Sequence, residues 1–204
     1  MGGNRGTLTA TVPTDLLFLC HAPTGATRLA AFPADDPIDT AGLAKAAFSA
    51  TTLPRSSAAC CAPSLAARQT ASACRLDPTV EEAIRDCDFG RWAGRPLADV
   101  ARDEPEAFGV WMTDASAAPH GGETLSALVG RVGGWLDQRL HAKETTIAVT
   151  HPAVIRAAVI HAVDWSPAAF WHLDVGPLSQ TWLRTDGRRW TLRGLHQFAS
   201  ADVR

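Results

Sequence analysis

The sequence predicts an α/β sandwich with a mainly parallel sheet, and three observations carry that expectation. A continuous apolar run of strand length occurs at Leu16–Cys20, as in a strand covered on both faces, and Thr145–Thr150 is the most convincing strand. Stretches of helical propensity alternate with the strands. The chain then closes on QTWLRT-DG-RRWTLRG, which alternates around Asp186-Gly187, a two-residue hairpin signal.

Taken in order, residues 1–14 read as a lead-in and 15–204 as a single domain, a size that one core can serve. Leu16–Cys20, LLFLC, is the first strand. Ala41–Ala50, AGLAKAAFSA, is rich in alanine, the strongest helix former. Ala58–Cys61 reads as a second, short strand. Pro63 and Ser64 open a helix, SLAARQTASAC, with the Ser64 hydroxyl as its cap. Residues 76–95 are turn-rich and predict no regular element. Pro96 to Met112 reads as one helix with Pro96 in its first turn. Glu123–His141 is a longer helix, which Gly130, Gly133 and Gly134 weaken by about 1 kcal/mol each relative to alanine. Thr145–Thr150, TTIAVT, is the clearest strand; His151 follows it, and Pro152 opens an apolar helix, AVIRAAVIHAV.

Composition narrows the function classes. At 46% hydrophobic and 20% charged the chain is not a disordered one. Its net charge is −2 with no block of like charge, so neither nucleic acid nor a membrane surface is an expected partner. A small-molecule substrate is expected, and a homodimer is left open. No apolar run approaches the ~20 residues of a membrane span, and the N-terminus lacks a signal peptide's apolar core. The five cysteines (Cys20, Cys60, Cys61, Cys74, Cys87) include no CxxC pair. Neither a disulfide framework nor a zinc site is expected, and no cofactor; reduced thiols in a cytoplasmic protein are.

Two histidines occupy matching contexts. LLFLC-His21 and TIAVT-His151 each follow a buried strand directly. In open α/β sheets ligands bind beyond the carboxyl ends of the strands, and the helix opening at Pro152 aims backbone N–H groups at the same region, which suits an anion. Five segments then line up with known motifs. Cys20-His21-Ala22 falls on R-H-G, and CAPSLAARQTA, Cys61–Ala71, on a serine–proline turn leading into R-A-x-Q-T-A. DCDFGRWAG, Asp86–Gly94, falls on E-x-x-F-G-x-W-x-G; GGET, Gly121–Thr124, on G-G-E-S; and THPAVIR, Thr150–Arg156, on strand-H-G-G-x-I-R. In this order they resemble the histidine phosphatase superfamily, the phosphoglycerate-mutase-like proteins, over nearly the whole chain. The resemblance implies a three-layer α/β/α sandwich and a metal-independent phosphomonoesterase acting on a small organic phosphate. His21 would be the nucleophile that becomes phosphohistidine, His151 a phosphate ligand, and Asp86 the acid that protonates the leaving oxygen.

The departures are as informative. Both family arginines that grip the phosphate are missing, because their positions hold Cys20 and Ala66, and the acid is shortened from glutamate to Asp86. A hydrogen bond to a charged group is worth ~1.5–3 kcal/mol, so something must compensate or the substrate must differ. Three explanations compete: a replacement cation, a non-phosphorylated substrate handled by two-histidine acid–base chemistry, or a binding protein without turnover. Arg28, in the loop after His21, is the expected replacement, with Thr24 and Thr27 beside it in the substrate site, the alternative being that it pairs with Asp35 or Asp36 and holds the loop; Arg68 points to another side of its helix. Cys20 counts among the substrate-site residues by position, although a small apolar filler is the commoner role at a strand's end. Glu123 is read equally as a substrate-site acid or a helix N-terminal carboxylate. His120 is expected in solvent, His161 at the core or its edge, and Arg156 on a helix surface or in an ion pair. The seven tryptophans are expected mainly to pack, with Trp92 and Trp111 as pocket candidates.

Overall fold

Leu16, Leu17, Phe18 and Leu19 are each at most 1% exposed, so both faces of this strand are covered. It is β1, Thr14–Cys20, near the middle of a six-stranded sheet. The structure, a computed structural model, describes residues 14–197; apart from Thr14, the lead-in lies outside the described residues. The other strands are β2 (Ala58–Cys61), β3 (Thr79–Val80), β4 (Thr145–Thr150), β5 (Gln180–Thr185) and β6 (Trp190–His196), in the order β3-β2-β4-β1-β5-β6. β3, β2, β4 and β1 run parallel, while β5 and β6 are antiparallel additions at one edge. The helices are α1 (Gly25–Arg28), α2 (Thr40–Ser49), α3 (Leu65–Ala73), α4 (Leu97–Asp103), α5 (Pro105–Thr113), α6 (Leu125–Asp137) and α7 (Pro152–Ala162). α2 packs with α3 and α6 with α7, and these pairs cover the sheet as the outer layers. The α/β/α architecture is the expected one.

Three local differences have simple causes. The helix expected over Pro96–Met112 is two helices, α4 and α5, broken at Glu104-Pro105. A proline removes a helical N–H and pushes the residue before it out of the helical region; Glu104 accordingly sits at φ −133°, ψ 54°. The hairpin turn is also longer than Asp186-Gly187. β5 ends at Thr185 and β6 begins at Trp190, with Asp186 Oδ1 accepting the N–H groups of Arg188 and Arg189 across the loop. The turn-rich stretch 76–95 holds β3 and two single 3-10 turns, Glu82–Ile84 and Gly90–Trp92.

The glycines of α6 do different things. A β-carbon on Gly130 or Gly134 would meet nothing within 4 Å, whereas one on Gly133 would lie 2.4 Å from the His161 ring. Gly133 therefore lets α7 approach, and His161, bonded through Nε2 to Asp137 at 2.9 Å, is the edge histidine expected. Gly130→Ala and Gly134→Ala should each raise stability by about 0.5–1 kcal/mol, and Gly133→Ala should lower it. Urea denaturation of the three variants checks the signs.

Candidate active site

β1 and β4 pair in parallel register with Cys20 opposite Thr150. The residue after each is a histidine, so both leave the sheet at the same level and the same end. The His21 N–H continues the ladder to the Thr150 carbonyl at 2.8 Å. The two imidazoles lie 4.9 Å apart, centre to centre, at 64°. Pro152 at the first position of α7 turns the chain immediately after His151.

Each ring is held by specific partners. His21 Nδ1 lies 2.8 Å from the Ala22 carbonyl. A carbonyl only accepts, so Nδ1 carries the hydrogen and Nε2 keeps its lone pair. The Ala22 N–H is itself bonded to Thr70 Oγ1 at 2.9 Å, which anchors the turn to α3. His151 lies between two side chains: Nε2 is 2.8 Å from Ser64 Oγ, and Nδ1 is 3.1 Å from Asp86 Oδ2. The carboxylate sits off the Nδ1–H direction, so this second contact is a close approach and not an aligned hydrogen bond.

Burial pulls the His21 imidazole down to about 4, and the positive field of His151 adds to it. Burial acts to raise the Asp86 carboxyl, but the charge and hydrogen bonding of His151 outweigh it and hold it below its usual range. In Cys20 burial pushes the thiol far up, so it is a protonated filler beneath the site.

Two adjoining hollows open over these groups. One, of about 420 Å³, is polar and includes His21, Ser64, Arg85, Asp86 and His151 in its lining. The other, of about 230 Å³, meets the first at His21 and Asp86 and is walled by Phe32, Phe89, Trp111 and Trp171. Thr24 lines both and Thr27 the second; they form a capping box at the start of α1. Trp111 is a wall residue, as expected, whereas Trp92 is fully buried behind it.

Several expected residues lie elsewhere. Arg28 is outside both hollows: its exposed side chain pairs with Asp39 at 2.5 Å, because Asp39 caps α2 just across the loop. Cys20 borders neither hollow. Glu123 is turned away as well, gripped by Arg131 through two bonds of 2.6 and 2.9 Å. His120 is not in solvent but 1% exposed, accepting the Gly122 N–H through Nδ1 and packing on Trp92. Arg156 is not a surface residue: it is half-buried, lines the aromatic hollow, and donates through Nε to the Leu173 carbonyl at 2.7 Å.

Sequence reasoning missed Arg85, Arg156 and the Ser64 contact with His151. Arg85 stands directly beside Asp86, which was the available signal. Arg156 had its place in the last motif. Ser64 was legible as a helix cap, but its second partner is 87 residues away.

A family model described as histidine phosphatase superfamily (branch 1) matches residues 16–197. The bifunctional protein of Mycobacterium tuberculosis (strain ATCC 25618 / H37Rv) is 31% identical over 121 residues, 57% of this chain and 33% of that protein. This chain thus spans only a part of that relative. Among solved structures, phosphoserine phosphatase from Entamoeba histolytica with 3-phosphoglyceric acid superposes with a TM-score of 0.83 at 15% identity, covering 91% of this chain and 98% of that one. Mycobacterial glucosyl-3-phosphoglycerate phosphatase with VO3 gives 0.78 at 23% identity, covering 87% and 96%. At these identities the structures speak to the fold. Among the described residues, no helix is long and apolar enough to cross a membrane.

Arg131 organises the approach to the site. Besides Glu123 it donates to the carbonyls of Ala83, Arg85 and Asp86, and its side chain is 15% exposed against 10% for Glu123. Arg131→Met would strand a buried carboxylate and free three carbonyls. It should cost about 3–5 kcal/mol, measured by denaturant titration, and Arg131→Lys should recover only part.

Proposed function

This chain belongs to the histidine phosphatase superfamily, and we propose that it hydrolyses phosphomonoesters through a phosphohistidine at His21. The observation that carries the reading is the bond from His21 Nδ1 to the Ala22 carbonyl. It leaves Nε2 as a free lone pair on a ring that burial keeps neutral, which is what a nitrogen nucleophile needs near pH 7.

Nε2 attacks phosphorus, the bond to the leaving oxygen breaks, and that oxygen takes a proton from the Asp86–His151 pair. A phosphate dianion entering beside the Asp86 carboxyl raises its hold on a proton, which it then delivers. Water next attacks the phosphohistidine, the P–N bond breaks, and the pair receives the proton of that water. Both groups belong to the chain, so the reading assigns no step to a metal.

Arg85 takes the place that Arg28 was expected to fill. It borders the polar hollow with 42% of its side chain exposed, and its contact with Glu123 is a loose 3.8 Å. Arg156, on the aromatic side, supplies a second positive charge. The aromatic wall supports an alcohol portion that is apolar or aryl, since such pockets bind by burying apolar surface.

Assayed with a chelator over a panel of phosphate esters, aryl and apolar esters should outperform small polar ones. His21→Ala should reduce turnover to background while the fold persists, and quenching at alkaline pH should trap phosphate on His21. Turnover surviving in His21→Ala would remove the phosphohistidine. Arg85→Ala should weaken kcat/KM by roughly ten- to a hundredfold, as loss of a charge-assisted contact does, with Arg28→Ala close to wild type.

The pH profile tests the same nucleophile. With His21 drawn down to about 4, it stays unprotonated well below the usual 6.5. After correction for substrate ionisation, kcat/KM should hold between pH 7 and 5 and fall only near 4. An acid limb at 6.5 would point to an ordinary, solvated histidine instead.

A further inference from the structure

We propose that Ser64 is a second nucleophile in this crevice, activated by His151 and oriented through Asp86, and that the site also hydrolyses carboxylic esters with an apolar or aryl group. The inference rests on a series of contacts whose first member, the bond between Ser64 and His151, the phosphatase reading does not use. Ser64 Oγ lies 2.8 Å from His151 Nε2, and His151 Nδ1 lies 3.1 Å from Asp86 Oδ2. A hydroxyl, an imidazole and a carboxylate in that order form the relay that activates a serine, a constellation recognised by geometry and roles and not by position in the chain.

The hydrogens can be assigned consistently. Nδ1 faces the carboxylate and so carries its hydrogen, leaving Nε2 to accept. Ser64 Oγ already accepts the Ala67 N–H at 3.3 Å as the cap of α3, so its own hydrogen is free to point at Nε2. The carboxylate stands off the Nδ1–H line, a looseness common where a catalytic hydrogen bond tightens only around substrate. Ser64 also occupies a strand–turn–helix junction, after β2 and before α3, and it borders the same hollow as His21 and Asp86.

The surroundings suit an acyl centre. The oxyanion of a tetrahedral carbonyl intermediate bears one negative charge, against two on a phosphate monoester, and needs fewer cations. Ala66 puts no cation in the wall beside Ser64, and Leu65 N–H is already taken by Asp35 Oδ1 at 2.6 Å. The Ala66 N–H, in the first turn of α3, has no backbone or side-chain acceptor among the described residues, and is the donor available to an oxyanion. The aromatic hollow, joined to the polar one at His21 and Asp86, takes the apolar part of the ester.

The step balances within the chain. Ser64 Oγ bonds to the ester carbonyl carbon as its proton passes to His151 Nε2. The intermediate collapses, the carbon–alkoxy bond breaks, and the departing oxygen takes that proton. Water then attacks acyl-Ser64 with His151 again as base, releasing the acid and restoring the hydroxyl.

Two probes test this on the full chain: hydrolysis of p-nitrophenyl butyrate, and labelling by an aryl-accepting fluorophosphonate followed by peptide mapping. Wild type should carry the label on Ser64 and turn the ester over. Ser64→Ala should lose both, with ester turnover down about a hundredfold or more. Because alanine also removes a helix cap, Ser64→Asn is the companion variant: asparagine caps as well as serine but offers no hydroxyl, so a folded, unlabelled and inactive Ser64→Asn assigns the loss to the nucleophile. Label on His21 or nowhere, or ester turnover surviving in Ser64→Asn, overturns the proposal. In His21→Ala the Ser64 label should persist, so failure of the phosphohistidine and failure of the serine are told apart.

Discussion

Everything at the site depends on the parallel pairing of β1 with β4. The register that sets Cys20 opposite Thr150 brings two histidines, 130 positions apart in sequence, to one level at one end of the sheet. A slip of one residue would turn each side chain of β1 to the other face, and here both faces are packed with large apolar groups. The cost of exchanging Leu17 and Phe18 between layers is what keeps the imidazoles 4.9 Å apart. The ladder also runs on past the strand, since the His21 N–H still finds Thr150. The histidine backbone thereby inherits the rigidity of the core while its ring faces the hollow.

Asp86 has no strand beneath it and is held differently. The Thr150 hydroxyl donates to the Ile84 carbonyl at 2.7 Å, tying its segment to the end of β4. Arg131 reaches from α6 to three carbonyls of the same segment while neutralising Glu123. Gly122 completes the arrangement. A β-carbon there would sit 2.0 Å from the Asp88 carbonyl oxygen, so the two turns meet only through glycine. The motif residues Gly121–Thr124 and Asp86–Gly94 thus serve one another structurally before they serve any substrate.

The strands were legible from local sequence, as in the unbroken apolar run LLFLC and the largely β-branched TTIAVT, and the histidines after them followed from chain order alone. The Ser64 cap was legible because capping is local chemistry. Partnerships across the fold were not. For Arg28 a loop ion pair with Asp35 or Asp36 was legible, but not that Asp39 would claim it, and nothing near Glu123 indicated Arg131. Arg156 read as a surface residue because its helix is apolar on nearly all sides, which leaves no polar face to reveal direction. The break at Pro105 is the opposite case: a local signal outweighed by helical propensity on both sides of it.

The aromatic wall has one more property. Phe32, Trp92, Val100 and Trp111 form a small core of their own, joined to the main one chiefly through the half-buried Phe89 and Trp171. Substitutions in groups that share few contacts act nearly independently on stability. Under the proposed function, the wall that would face the organic part of a substrate can therefore drift, or be redesigned, with little disturbance to the sheet that sets the two histidines side by side. In evolutionary terms that reading separates what the chain would recognise from what it would do. Such a separation would let one lineage explore many substrates around an unchanged pair of histidines.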